Sequence, residues 1–145
     1  MSETRRQRRL DHIETLRQQL NLMDWEVRLS DEPAEEGFQA DIHWRDAERV
    51  AQIRMDPNLP ESMDLGVLTH EMVHLAMHDL SELGQRLLVF VTDDQARTTF
   101  AELLEDALER AVEAVGQALT PGPRFVAYGE ELTNRFPAFA ARRLN

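Results

Sequence analysis

The chain has no cysteine, which removes disulfides, thiolate zinc sites and cysteine nucleophiles together. Any metal here must be held by histidine and carboxylate. No apolar run approaches the ~18 residues that a membrane helix needs, so no membrane partner is expected. Lysine is also missing: all 16 basic residues are arginine, a bias that carries no mechanism. Positive charge is scarce, with 27 acidic residues against 16 basic ones and a net charge of −11, which repels phosphate backbones and argues against a nucleic-acid partner. The cluster Arg5, Arg6, Arg8 and Arg9 opens an expected helix and reads as a solvated face. The charged opening MSETRRQRRLDHIE leads into no apolar segment, so no secretory signal is expected and the cytoplasm is the expected compartment. At 145 residues, 42% apolar and 30% charged, one domain spanning 1–145 is expected, with its core in about 25–119 and a tail over 124–145.

Hydrophobic spacing sets out an α+β chain. Leu10, Ile13, Leu16 and Leu20 recur at helical intervals over residues 4–22, and Asn21 to Asp24 ends that helix. Trp25, Val27 and Leu29 then alternate with charged residues as a half-buried strand, followed by an acidic loop from Asp31 to Gly37. Ala40, Ile42 and Trp44, then Ala51, Ile53 and Met55, alternate on either side of a polar turn, which predicts a hairpin. After Pro57 and Pro60 a helix is expected from Ser62 or Asp64 to about Leu80, then a loop over 81–85. Residues 86–91 fit a short strand or a helical turn equally. Thr92 with the acids that follow resembles a capping box, opening a helix that runs to about Leu119 before the Pro121-Gly122-Pro123 stop.

Residues His70-Glu71-Met72-Val73-His74 form an HExxH motif inside the second of these helices. Positions i and i+4 share a helix face, so His70 and His74 can each place a nitrogen ~2.0 Å from one zinc ion, with Glu71 beside the water that the ion activates. A chain of this composition contains such a motif by chance about 2% of the time. Context lowers that further, because Leu65, Val67, Leu68, Met72, Val73, Leu75 and Ala76 surround most of the helix and predict its burial. Two buried histidines and a buried glutamate need partners, and one ion satisfies all three.

A catalytic zinc normally takes a third protein ligand. His78 lies too far along a continuous helix, ~12 Å from His70 at 1.5 Å per residue, and no Gly or Pro breaks Leu75 to His78. The long helix that follows carries Glu102, Glu105, Asp106, Glu109 and Glu113. Its apolar stripe of Phe100, Leu104, Leu108, Ala111 and Val115 is expected to face the core, which puts Glu105 at the border of that stripe and the other acids toward solvent. Glu105 is the expected third ligand and Glu102 its rival. Glu109, one turn on, is placed to orient a ligand.

With this ligand pattern the sequence resembles the zincin metallopeptidases, specifically the gluzincin arrangement of HExxH on one helix and a Glu ligand on the next. Over about Trp25 to Leu119 it is also similar to minimal metallopeptidase domains of phage and prophage genomes, and in outline to the ImmA/IrrE proteases. Val73 stands where the ImmA/IrrE motif often has Gly, and no metzincin continuation or Met-turn follows. The resemblance implies a small zincin-like α+β domain: an N-terminal helix, a sheet of about three strands, the HExxH helix and a long ligand helix. It implies one zinc held by His70, His74 and Glu105, with Glu71 as general base. The implied activity is hydrolysis of peptide bonds in a protein or peptide substrate. It also implies an edge strand for extended substrate, expected at Val50 to Met55, and an oxyanion-stabilising donor, for which Tyr128 and His78 are the available residues. The rival expectation is a non-catalytic binding or assembly module of the same fold in which zinc is structural.

Overall fold

A computed structural model describes residues 3–122, and Tyr128 lies outside them. Among these residues the fold is α+β, with four helices, two short 3-10 turns and a three-stranded mixed sheet. It packs as two compact units, residues 3–77 with 112–122, and residues 78–111.

In the first unit α1 (Glu3–Gln19) ends where Asn21 takes a left-handed φ of 56°. Leu22 N–H donates to the Arg17 carbonyl at 2.8 Å and Asn21 N–H to that of Gln18 at 3.3 Å, which satisfies the last carbonyls of the helix. The strands are β1 (Glu26–Pro33), β2 (Ala40–Arg45) and β3 (Val50–Met55), in the order β1-β3-β2. β2 and β3 form the expected antiparallel hairpin, with Ile42 opposite Ile53, and β1 joins the other side of β3 in parallel, with Leu29 opposite Ile53. β1 runs further than its alternation suggests, absorbing the start of the expected acidic loop through an irregularity after Leu29. β3 is therefore the central strand, and the expected edge role of Val50 to Met55 is corrected: β2 is the edge strand that packs on the HExxH helix.

That helix is α2 (Asp64–Ala76). Val67, Leu68, Met72, Val73 and Leu75 are all buried, as its apolar circumference predicts; Leu68, Met72 and Leu75 share a core with Leu16, Trp25 and Ile53. It stops at Met77 rather than near Leu80. Met77 N–H still bonds to the Val73 and His74 carbonyls at 3.0 and 3.2 Å, but its own backbone leaves the helical range at φ −98° and ψ 7°, which ends the helix without Gly or Pro.

The N-terminus of α2 is clamped to α1. The buried Asp64 carboxylate accepts from Arg5 Nε and Nη2 at 2.7 and 2.6 Å and from Arg9 Nε and Nη2 at 2.9 and 2.7 Å. Arg6 pairs with exposed Asp31 and Arg8 with exposed Glu61, so half of the cluster stays on the solvated face as expected, while Arg5 and Arg9 turn to the buried Asp64. Burial alone would raise the Asp64 pKa, but the hydrogen bonds from Arg5 and Arg9 outweigh it and hold the carboxyl below its usual range.

In the second unit α3 (His78–Leu87) replaces the expected 81–85 loop, and a 3-10 turn at Leu88–Phe90 resolves the ambiguous segment. Gly84 lets α3 approach the Leu104 side chain so closely that an added Cβ would stand 2.5 Å from Leu104 Cδ2. α4 (Asp94–Leu119) is capped by Asp93 rather than Thr92: its Oδ1 accepts from Ala96 N–H at 2.6 Å. Among the described residues no helix is long and apolar enough to cross a membrane.

Removing the clamp carboxylate strands two guanidinium groups, so Asp64→Ala is expected to cost about 3–5 kcal/mol in urea unfolding. Because the folded-state pKa of Asp64 is lowered, its contribution is complete above the unfolded value of ~3.9 and is lost as pH falls through the lowered folded one. The wild-type urea midpoint should therefore drop steeply below about pH 4, and Asp64→Asn should flatten that part of the curve.

Candidate metal centre

His70 and His74 sit one turn apart on α2, and their Nε2 atoms are 3.0 Å apart. Their rings meet edge to face, with centroids 4.6 Å apart and planes at 74°. Two nitrogens bound tetrahedrally to one ion at 2.0–2.1 Å stand about 3.3–3.4 Å apart, so the pair needs almost no movement to hold it. Among the described residues His70, His74 and Glu109 form a group whose ligand atoms all lie within 4.8 Å of one another. Two imidazoles and a carboxylate can hold a metal ion there.

Glu109 sits on the turn of α4 just before Val112, and the next turn brings Glu113, whose Oε2 is 3.6 Å from His70 Nδ1. A proton on Nδ1 then faces a carboxylate, which leaves the Nε2 lone pair for the ion. The carboxylate that joins the histidines is thus Glu109 and not the expected Glu105. Glu109 was expected only to orient a ligand, and Glu113 to lie in solvent. Glu105 and its rival Glu102 instead line a groove of about 710 Å³ with Gln85, Leu88, Val89 and Arg97.

Two things differ from the expectation: α4 is rotated, which turns its acids away from open solvent, and position along the helix, one turn beyond Glu105, puts Glu109 with the histidines. Phe100 and Val115, from the stripe expected to face the core, are 51% and 40% exposed, while Asp106, Val112 and Gly116 are buried. On a wheel of about 100° per residue, the buried arc is turned by roughly 130° from the apolar stripe, onto the face that carries the acids. A signal for this was present: Glu105, Glu109 and Glu113 stand at i, i+4 and i+8, a carboxylate ladder that a merely solvated face does not require.

Glu71 is buried beside His70 on α2. His78 opens α3, where its Nε2 lies 2.9 Å from Asp79 Oδ1. The neighbour of His70 is tied down from three elements: Thr69 Oγ1 donates to the Leu65 carbonyl at 2.8 Å and lies 2.7 Å from Thr120 Oγ1 and 2.8 Å from His12 Nε2. Burial pushes the His12 pKa down, only partly offset by its hydrogen bond to the Leu65 carbonyl, so the ring is neutral at pH 7.

No protein-family model, curated protein or solved structure matches the chain, so the site is read from its own geometry.

Two substitutions test this arrangement. In a zinc competition titration Glu109→Ala should weaken affinity by orders of magnitude while Glu105→Ala leaves it nearly unchanged. Glu113→Gln should cost roughly 10–100-fold, the usual loss when a carboxylate behind a ligand histidine is removed. Equal effects of Glu105→Ala and Glu109→Ala would contradict the arrangement.

Proposed function

We propose that this chain is a zinc-dependent peptide hydrolase of the zincin type, with His70, His74 and Glu109 as ligands and Glu71 as general base. The observation that carries this reading is the 3.0 Å approach of the two HExxH imidazole nitrogens with a carboxylate in reach. Zinc is the favoured ion because nitrogen donors joined by one carboxylate suit it better than the oxygen-seeking calcium or magnesium. A bound zinc supplies Lewis-acid activation of water and of the substrate carbonyl.

The chain's own residues supply the rest. Glu71 takes the proton of the attacking water and passes it to the leaving amine, so that one peptide bond and one water become an acid and an amine. Glu113, whose Oε2 stands 3.6 Å from His70 Nδ1, favours the tautomer with its proton on Nδ1. The outer edge of β2, which ends the sheet among the described residues and lies next to α2, can bind an extended peptide by strand addition, which needs no particular sequence. The reading places the enzyme in the cytoplasm acting on a protein or peptide; its charge of −11 disfavours nucleic acid.

The test combines metal analysis with cleavage of a mixed peptide library. Wild type should carry about one zinc per chain and cleave library peptides; Glu71→Gln should keep the zinc and lose cleavage, because an amide cannot accept the water proton. Stripping the metal should lower stability by about 4 kcal/mol relative to zinc at a thousandfold excess over Kd, and the melting temperature by roughly 8–16 °C. Zinc that stabilises the fold while no peptide is cleaved by wild type would overturn the enzyme in favour of a binding or assembly module with structural zinc.

A further inference from the structure

Helix α3 carries its leucines on a face left in solvent. Leu80, Leu83 and Leu87 stand at i, i+3 and i+7, within an arc of about 60° on a helical wheel, and each is more than half exposed. α3 packs on α4 along a different side, about 70° around, where Gly84 lies against the Leu104 side chain. Just past this seam Val89 and Phe90 are 66% and 79% exposed. Exposed apolar side chains gathered in so short a segment mark an interaction surface rather than ordinary scatter. Together the five present on the order of 500 Å² of apolar surface, close to the apolar share of the ~800 Å² that each partner buries in a standard interface.

The pattern on this face is its own complement. When a two-fold axis relates two antiparallel helices, the same flank of each meets, and a residue before the axis faces the one equally far beyond it. Leu80 and Leu87 are centred just after Leu83, so an axis there sets Leu80 against Leu87 of the second copy and brings the two Leu83 side chains together. The charges obey the same operation. Asp79 and Arg86 are exposed on one flank of the seam, and their centre falls just before Leu83, about 1.5 Å along the helix from that of the leucines. One axis at Leu83 therefore pairs Asp79 of each copy with Arg86 of the other. Asp79 faces His78 through Oδ1 at 2.9 Å, and a carboxylate accepts through both of its oxygens. A net charge of −11 on each chain opposes association, but on this face acid meets base. We propose that α3 is the interface of a symmetric dimer of this chain, closed by antiparallel packing of Leu80, Leu83 and Leu87 and held in register by Asp79 and Arg86. The dimer does not depend on the proposed hydrolytic activity.

Sedimentation of the full chain from micromolar to sub-millimolar concentration should show a reversible monomer–dimer equilibrium. Leu83→Glu, at an exposed position, should keep the circular dichroism spectrum and weaken the dimer at least about a hundredfold, since it buries a charge at the centre of both copies. Arg86→Asp should weaken it roughly tenfold, because two ion pairs become two repulsions, and adding Asp79→Arg in the same chain should recover most of the loss. The absence of cysteine makes cross-linking direct. Under mild oxidation Leu83→Cys should join two copies, whereas Gln85→Cys, exposed on the opposite side of α3, should not. A dimer indifferent to Leu83→Glu or to Arg86→Asp, or equal cross-linking at positions 83 and 85, would overturn the proposal. A wild-type chain that stays monomeric throughout would overturn it as well, and would leave the leucines to a different partner.

Discussion

The position of the histidine helix depends on one carboxylate. Asp64 is the first residue of α2, and Arg5 and Arg9, one turn apart on α1, both grip it through Nε and Nη2. A bidentate guanidinium fixes direction as well as distance. Two of them on one carboxylate leave α2 little freedom to slide or turn. That matters because α2 is apolar around most of its circumference, and hydrophobic burial alone has no preferred rotation about such a helix. The clamp and the hydroxyl of Thr69 supply the direction that the core does not, and His70 and His74 inherit it.

This division of labour explains what was legible in the sequence. The α1 stripe, the hairpin and the burial of α2 follow from periodicity, because each buries a face with one clear choice. The HExxH pair was legible because both ligands lie on one helix, where spacing alone brings them together. The order of the strands was not: alternation shows that β3 has a buried face, but whether it lies at the centre or the edge depends on the parallel partner β1, a long-range pairing. The end of α2 at Met77 was hidden for a different reason, since it is made by a change in the backbone of an ordinary residue and not by a breaking residue.

The carboxylate grouped with the histidines is where the wheel and the structure part: Glu109 stands there and Glu105 does not. Wheel arguments assume that the apolar stripe of a helix faces inward, and α4 turns its acid ladder inward instead, with Phe100 and Val115 left in solvent. Gly116 belongs to the buried arc, and a residue without a side chain permits close backbone approach. Burial on α4 thus centres on Asp106, Val112 and Gly116 rather than on the ends of its apolar stripe.

Such a helix is energetically expensive unless something repays it. Carboxylates drawn toward an interior lose hydration, and in a chain of net charge −11 they also repel one another, so the arrangement gains stability from any cation that enters it. A divalent ion beside Glu109 and Glu113 offsets both terms at once, and through linkage its binding energy becomes folding energy.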